Sequence, residues 1–311
     1  MRLMTRGFPA LGRAEVFSVL GLVVFTWAVG GAGSASDKRL QGPYLGQTPP
    51  GTTPRTFAPG FVSTPAHEFG ASFTPDGKAF YFTRRDPNRN ANVIMMSTCI
   101  DDIWTEPKVA PFIDDWEAFE PRVTPDGRRL YFTSNKPLPL EGAVPMSMWY
   151  VERRGKGWTS PENAGPPFNP MKSMYVSMTL DGTIYTTDIS GGPGTEGIAV
   201  ARQTGGKYRK LERLGPPINT GTTDMYPFVA PDESYLIFTS RRPPTNTRGG
   251  GLWIAFKKPD GTWTNPRLID LGMEAGLPLV SPDGKYLFFT AGERGKSDIY
   301  WVEAKFIELL K

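Results

Sequence analysis

Thr74-Pro75-Asp76-Gly77 opens a pattern that returns as Thr124-Pro125-Asp126-Gly127, Thr179-Leu180-Asp181-Gly182, Ala230-Pro231-Asp232-Glu233 and Ser281-Pro282-Asp283-Gly284. The second residue of each copy lies at 75, 125, 180, 231 and 282, so the copies are 50, 55, 51 and 51 residues apart. A fixed period in this range marks a propeller, a solenoid or an array. Asp-Gly is the favoured pair where a tight hairpin needs positive φ, so each copy reads as a turn between two strands.

The flanking residues fit that reading. A short strand precedes each turn (Ala71-Ser72-Phe73 and its counterparts), and an apolar one follows, such as Phe80-Tyr81-Phe82-Thr83 or Leu287-Phe288-Phe289-Thr290. After a polar loop comes a third strand, as at Met148-Trp149-Tyr150-Val151 and Leu252-Trp253-Ile254-Ala255. A fourth is predicted to begin at Trp104-Thr105, Trp158-Thr159, Tyr208-Arg209 and Trp263-Thr264. Four antiparallel strands per period make a propeller blade. The expected fold is therefore an all-β, five-bladed propeller. A sixth blade is open only if residues 37–66 hide a degenerate unit. The fifth unit lacks its fourth strand, but Thr56-Phe57-Ala58-Pro59 resembles the outgoing Lys108-Val109-Ala110-Pro111. The N-terminal segment is thus expected to complete the last blade and leave the ring without a free edge.

The rest of the N-terminus divides in two. Arg2, Arg6 and Arg13 precede an apolar run from Val16 to Val29 and then small residues to Ser36. The run is shorter than the roughly 20 residues that span a bilayer, so residues 1–36 read as a cleaved secretory signal, the alternative being a retained anchor. Residues 37–56 are rich in Gly, Pro and Thr and read as an extended lead-in, leaving 57–311 as the propeller. These readings place the protein in the periplasm or outside the cell, with no membrane insertion after cleavage. Removing Arg2, Arg6, Arg13 and Glu15 lowers the formal charge from +4 to about +2, and no dense basic run remains, so nucleic acid is not an expected partner.

Ser281-Pro282-Asp283-Gly284, Leu287-Phe288-Phe289-Thr290, Ser297-Asp298-Ile299-Tyr300 and Leu214-Gly215-Pro216-Pro217-Ile218-Asn219-Thr220 resemble the TolB-type, WD-repeat-like propeller repeats of exported bacterial proteins. Ala164-Gly165-Pro166-Pro167-Phe168-Asn169 matches the last motif more loosely. The resemblance covers residues 57–311 and implies the propeller fold. It implies function only broadly, since the family includes envelope binding scaffolds and propellers attached to enzymes. The α/β domain of TolB itself has no counterpart here, so a role in the Tol system is not expected.

Few residues offer chemistry. His67 is the only histidine and Cys99 the only cysteine, which excludes zinc or copper sites built on N and S ligands. Asp101-Asp102 and Asp114-Asp115 have no calcium-loop spacing. No Gly-x-Ser-x-Gly elbow accompanies His67, which is expected at a rim. Cys99 sits in an apolar strand pattern and reads as a buried structural thiol. No cofactor, metal or catalytic residue is expected.

What remains is the channel mouth. Segments entering the innermost strands carry Glu68, Glu117, Glu120, Asp224 and Glu274, with Tyr175 and Tyr226 among the aromatics. Acids and aromatics around one cavity suit sugar binding, and two separated carboxylates would permit glycoside hydrolysis. The plainer reading leaves the acids solvated and the aromatics packed between blades. Glu120 and Arg122 fall two residues apart, on one face of a regular strand, where the fifth blade has Leu277 and Leu279. A local salt bridge is the first expectation there and a ligand contact the second. The expected function is a monomeric, non-catalytic binding module for an envelope protein or a glycan. Its candidate residues are Glu68, Glu117, Glu120, Arg122, Tyr175, Asp224, Tyr226 and Glu274. A carbohydrate-active enzyme and a purely structural envelope protein are the alternatives.

Overall fold

Each Pro-Asp-Gly copy folds as a self-capped turn. Thr74 Oγ1 donates to Asp76 Oδ1 (2.6 Å) and accepts from the Ala79 N–H (2.9 Å), while Asp76 Oδ1 also accepts from the Lys78 N–H (3.0 Å). Thr124, Thr179 and Ser281 repeat this clasp. Ala230 has no hydroxyl, and Ser234 donates to Asp232 instead (2.6 Å). The fourth turn residue has left-handed φ in all five copies, supplied by Gly77, Gly127, Gly182 and Gly284 but by Glu233 in the fourth. Glu233 compensates by accepting bonds from Tyr185 (2.5 Å) and Arg202 (2.8 Å), tying blade 3 to blade 4.

The computed structural model describes residues 40–138, 146–169, 173–245, 247–293 and 295–311. The expected leader, residues 1–36, lies outside the described residues. Inner strands are Glu68–Phe73, Ala118–Val123, Ser173–Met178, Asp224–Val229 and Gly276–Val280. Each pairs antiparallel with the strand after its turn, and that strand with a third. Consecutive inner strands touch, and the fifth touches the first, which closes a five-bladed ring.

Arg55–Thr56 pairs with Trp301 and Tyr300 of the last blade, and the Phe57 N–H reaches Ile299 O (2.8 Å). The equivalent bond in blade 1 runs from the Ala110 N–H to Ile94 O (2.8 Å), so the resemblance between those two segments had a structural cause. The lead-in is more than an extended tail. It forms a tight turn at Pro43–Gly46, with Tyr44 and Leu45 at left-handed φ, and buries Leu45, while Tyr44 packs edge-on against Tyr286.

The fourth strand begins later than the sequence suggested. The strands that pair with the third are Lys108–Val109, Glu162–Asn163, Glu212–Arg213 and Arg267–Ile269. Each starts four residues beyond the aromatic that seemed to open it. In the first two blades the Trp segment instead folds back on the end of the third strand. In blades 1, 2 and 4 a proline (Pro107, Pro161, Pro266) lies just before that strand, and without an N–H it cannot carry the ladder through; blade 3 has Leu211 there. The Trp side chains bridge blades, with Trp158 Nε1 donating to Tyr81 (2.9 Å) and Trp263 meeting Tyr185 edge-on.

The apolar core lies between blades, with separate clusters at the interfaces of blades 1–2, 2–3 and 3–4 and a larger one uniting blades 4, 5 and 1. Asn169 and Asn219, which end the Gly-Pro-Pro motifs, bond both backbone groups of Met148 and Ile198 in their third strands. Cys99 is half-buried, more open than the strand pattern implied, with Lys78 Nζ at 4.0 Å from its sulfur.

Candidate functional site: the central channel

Every inner strand breaks its pairing register near its middle. At that break one residue takes left-handed φ: Gly70, Glu120, Tyr175, Tyr226 or Leu277, always five residues before the second residue of the turn motif. Such a bulge twists the strand and re-aims its side chains. For a non-glycine residue the conformation costs about 1–2 kcal/mol. At three of the five a threonine of the preceding blade relieves part of the disruption. Thr83 Oγ1 accepts from the Glu120 N–H (2.9 Å), Thr187 Oγ1 from Tyr226 (2.8 Å) and Thr290 Oγ1 from Gly70 (3.4 Å).

The bulge separates Glu120 from Arg122. No ion pair joins them among the described residues, correcting the expected salt bridge, because the left-handed residue destroys the simple alternation that would put both on one face. Glu120 lines a cavity at the strand-start end of the channel, and Arg122 lines another at the turn end. Arg122 crosses the channel, donating from Nε to Val176 O (3.1 Å) and from Nη2 to Tyr175 Oη and to Pro278 O (3.2 Å). Its guanidinium lies over the rings of Tyr175 and Phe228. Tyr175 is itself fixed by a bond to Pro278 O (2.8 Å). One arginine of blade 2 thus reaches blades 3, 4 and 5, which makes it and Tyr175 channel-bridging residues.

The strand-start cavity has a volume of about 690 Å³. It brings together Glu120, Tyr226 and Glu274 of the expected residues, and adds His67, Glu196, Arg241, Arg248 and Glu293. Glu120 is 4% exposed, and its Oε2 is buried without a hydrogen-bond partner among the described residues. Burial pushes its carboxyl up to about 8, against a lowering by Arg122, so it is protonated at neutral pH. Burial, and then the nearby Glu120, raise the Tyr226 hydroxyl. His67 stacks on Phe69 and shares a hydrogen bond between Nδ1 and Ser297 Oγ (2.7 Å), and burial lowers its pKa. Glu274 is exposed at the mouth.

Three expected residues are elsewhere. Glu68 is fully buried, paired with Arg84 (2.7 Å) and capping Thr64. Asp224 is likewise buried, held by Arg242 (2.8 Å) and Ser240 (2.6 Å). The two acids play the same part in blades 1 and 4, clamping the segment that enters the inner strand. Glu117 bonds Asn92 and lies 3.5 Å from Arg85, joining blades 1 and 2. Glu196, Arg241, Arg248 and Glu293 were missed because they stand in or beside loops that differ from blade to blade and obey no period. Among the described residues no cluster of side chains could hold a metal ion. Nor is any helix there long and apolar enough to cross a membrane.

The architecture and its channel define a five-bladed β-propeller. No family model matches the sequence, and no curated protein matches it. Solved structures do share the fold. An endo-arabinase from Bacteroides thetaiotaomicron superposes with a TM-score of 0.54 at 14% identity, covering 78% of this chain and 96% of its own. A protein assigned as TolB from Agrobacterium tumefaciens gives 0.51 at 15% identity, covering 77% and 78%. The catalytic domain of the Coprinopsis cinerea GH62 alpha-L-arabinofuranosidase gives 0.50 at 9% identity, covering 82% and 97%. At these identities the likeness shows the fold alone.

Proposed function

We propose that this chain is an exported, monomeric, non-catalytic binding module that takes a glycan at the strand-start cavity. The observation that carries the reading is the buried, unpartnered carboxyl of Glu120 facing a cavity with Tyr226, Glu274, Arg241 and Arg248. A protonated carboxyl can both donate and accept, as a sugar hydroxyl can, and a buried polar group without a partner is costly until a ligand or water satisfies it. Mixed charges on the wall favour a neutral, polyhydroxylated ligand over a strongly charged one. Export rests on the expected leader, which directs the protein to the periplasm or the medium.

The purified mature protein on a glycan array, followed by calorimetry, tests this directly. A retained glycan should bind roughly 5–30-fold more weakly to Glu274→Gln and Tyr226→Ala, the loss of about one or two hydrogen bonds. An empty array, with a protein captured from envelope extract by the same face, would replace the glycan with a protein partner.

A second reading is favoured by one feature, the presence of two carboxyls, buried Glu120 and exposed Glu274, on the wall of a single cavity. Glycoside hydrolysis uses two carboxyls flanking the scissile bond, one of them as the acid, the role that burial of Glu120 suits. Release of reducing sugar, abolished by Glu120→Gln, would establish it; retention without turnover keeps the binding reading.

A further inference from the structure

The cavity at the turn end of the channel has a different chemistry. It measures about 330 Å³, and its wall includes Phe73, Met178, Phe228, Leu279 and Val280. Pro75, Pro125, Leu180, Pro231 and Pro282 ring its mouth, and Leu180, standing where the other copies have proline, is 66% exposed. Each of its serine and threonine hydroxyl oxygens already takes part in at least one hydrogen bond. Ser72 accepts from the Val123 N–H and Ser177 from the Val229 N–H (2.9 Å each), while Thr124 and Ser281 are held in their turn clasps.

Among the described residues, Arg122 is the only charged one lining this cavity. It is 4% exposed, and its Nη1 has no hydrogen-bond partner among the described residues. The partners of Nε and Nη2 are two carbonyls and a phenol, all neutral. A guanidinium stays charged in proteins, and a buried charge is costly until it is paired. Glu120 feels the field of Arg122 but makes no ion pair or hydrogen bond with it among the described residues, and it lines the opposite cavity.

We propose that the turn-end cavity binds a small apolar monocarboxylate, its carboxylate paired with Arg122 and its hydrocarbon body against Phe228, Leu279 and Val280. The single cation matches one negative charge and offers nothing further to a dianion. The largely apolar wall suits a hydrocarbon body better than a sugar, and the volume is at the small end for ligand pockets.

Calorimetric titration of the whole protein with hexanoate and 3-phenylpropanoate, beside hexanamide, 3-phenylpropanamide and sodium chloride, decides the matter. The acids should saturate one site and bind at least about 10-fold more tightly than their amides, as a charge-assisted hydrogen bond requires. Leu180→Glu changes only an exposed mouth residue. It should weaken the acids several-fold by repulsion and leave the amides unchanged. Arg122→Gln, if it folds by circular dichroism, should erase the preference for acid over amide. Equal affinity for acid and amide, competition by chloride at the acid's own concentration, or indifference of acid binding to Leu180→Glu would overturn the proposal.

Discussion

Glu120 concentrates more unusual physics than any other residue of the channel, with left-handed backbone, complete burial of one carboxyl oxygen and a pKa near 8. The sign of its effect on stability follows from linkage. Below the ordinary carboxylate pKa both folded and unfolded forms are protonated, and the group contributes nothing. Between about 4.5 and 8 only the unfolded form has ionised, so stability falls as pH rises through that window, then levels off. The shift corresponds to roughly 3–5 kcal/mol in full. Glu120→Gln removes the ionisation while keeping the shape. Thermal melts from pH 4 to 9 should therefore show the variant matching the parent in acid and exceeding it in base. Parallel curves would mean that Glu120 is solvated in the folded protein. A ligand that satisfies Glu120 should also raise the melting temperature.

Among the elements, the inner strand with its mid-strand bulge governs the site. All five bulges lie at one distance from the turn motif, yet no residue type is common to them: one glycine, one glutamate, two tyrosines and one leucine. That is why the sequence pointed to Glu120 as a deviation but not to the backbone that aims it. The threonine ending the second strand was legible as part of the repeat, whereas its service to the next blade was not. Thr83→Val deletes the acceptor for the Glu120 N–H without changing the side chain's shape. It should cost about 1–3 kcal/mol, read from urea midpoints, and weaken any ligand of the strand-start cavity. Thr290→Val, whose bond to Gly70 is long at 3.4 Å, should cost less. Equal losses would show that the hydroxyls act only in their own strands.

The whole molecule depends on the closure of the ring. Phe57 is fully buried where the N-terminal segment joins the last blade to the first, edge-on to Phe80, Phe288 and Trp301. Phe57→Ala should destabilise by about 3–5 kcal/mol, measured by denaturant unfolding. Its effect should exceed that of Ile100→Ala, which trims an exposed apolar side chain on blade 1. A small loss at Phe57 would mean that the ring holds without its N-terminal latch.

The chain's repeat of turn, apolar strand and closing segment determined the fold class, the blade count and the closure, because those depend on local periodicity and hairpin chemistry. It also singled out the acids of the channel mouth. Only the tertiary structure decided which of them are free. Glu68 meets Arg84 and Asp224 meets Arg242, Glu117 joins two blades, and Glu120 is left alone. The reason is physical. A repeat records what each blade needs for itself, whereas the partner of a buried charge comes from side chains distant in sequence and from the backbone bulge that aims it.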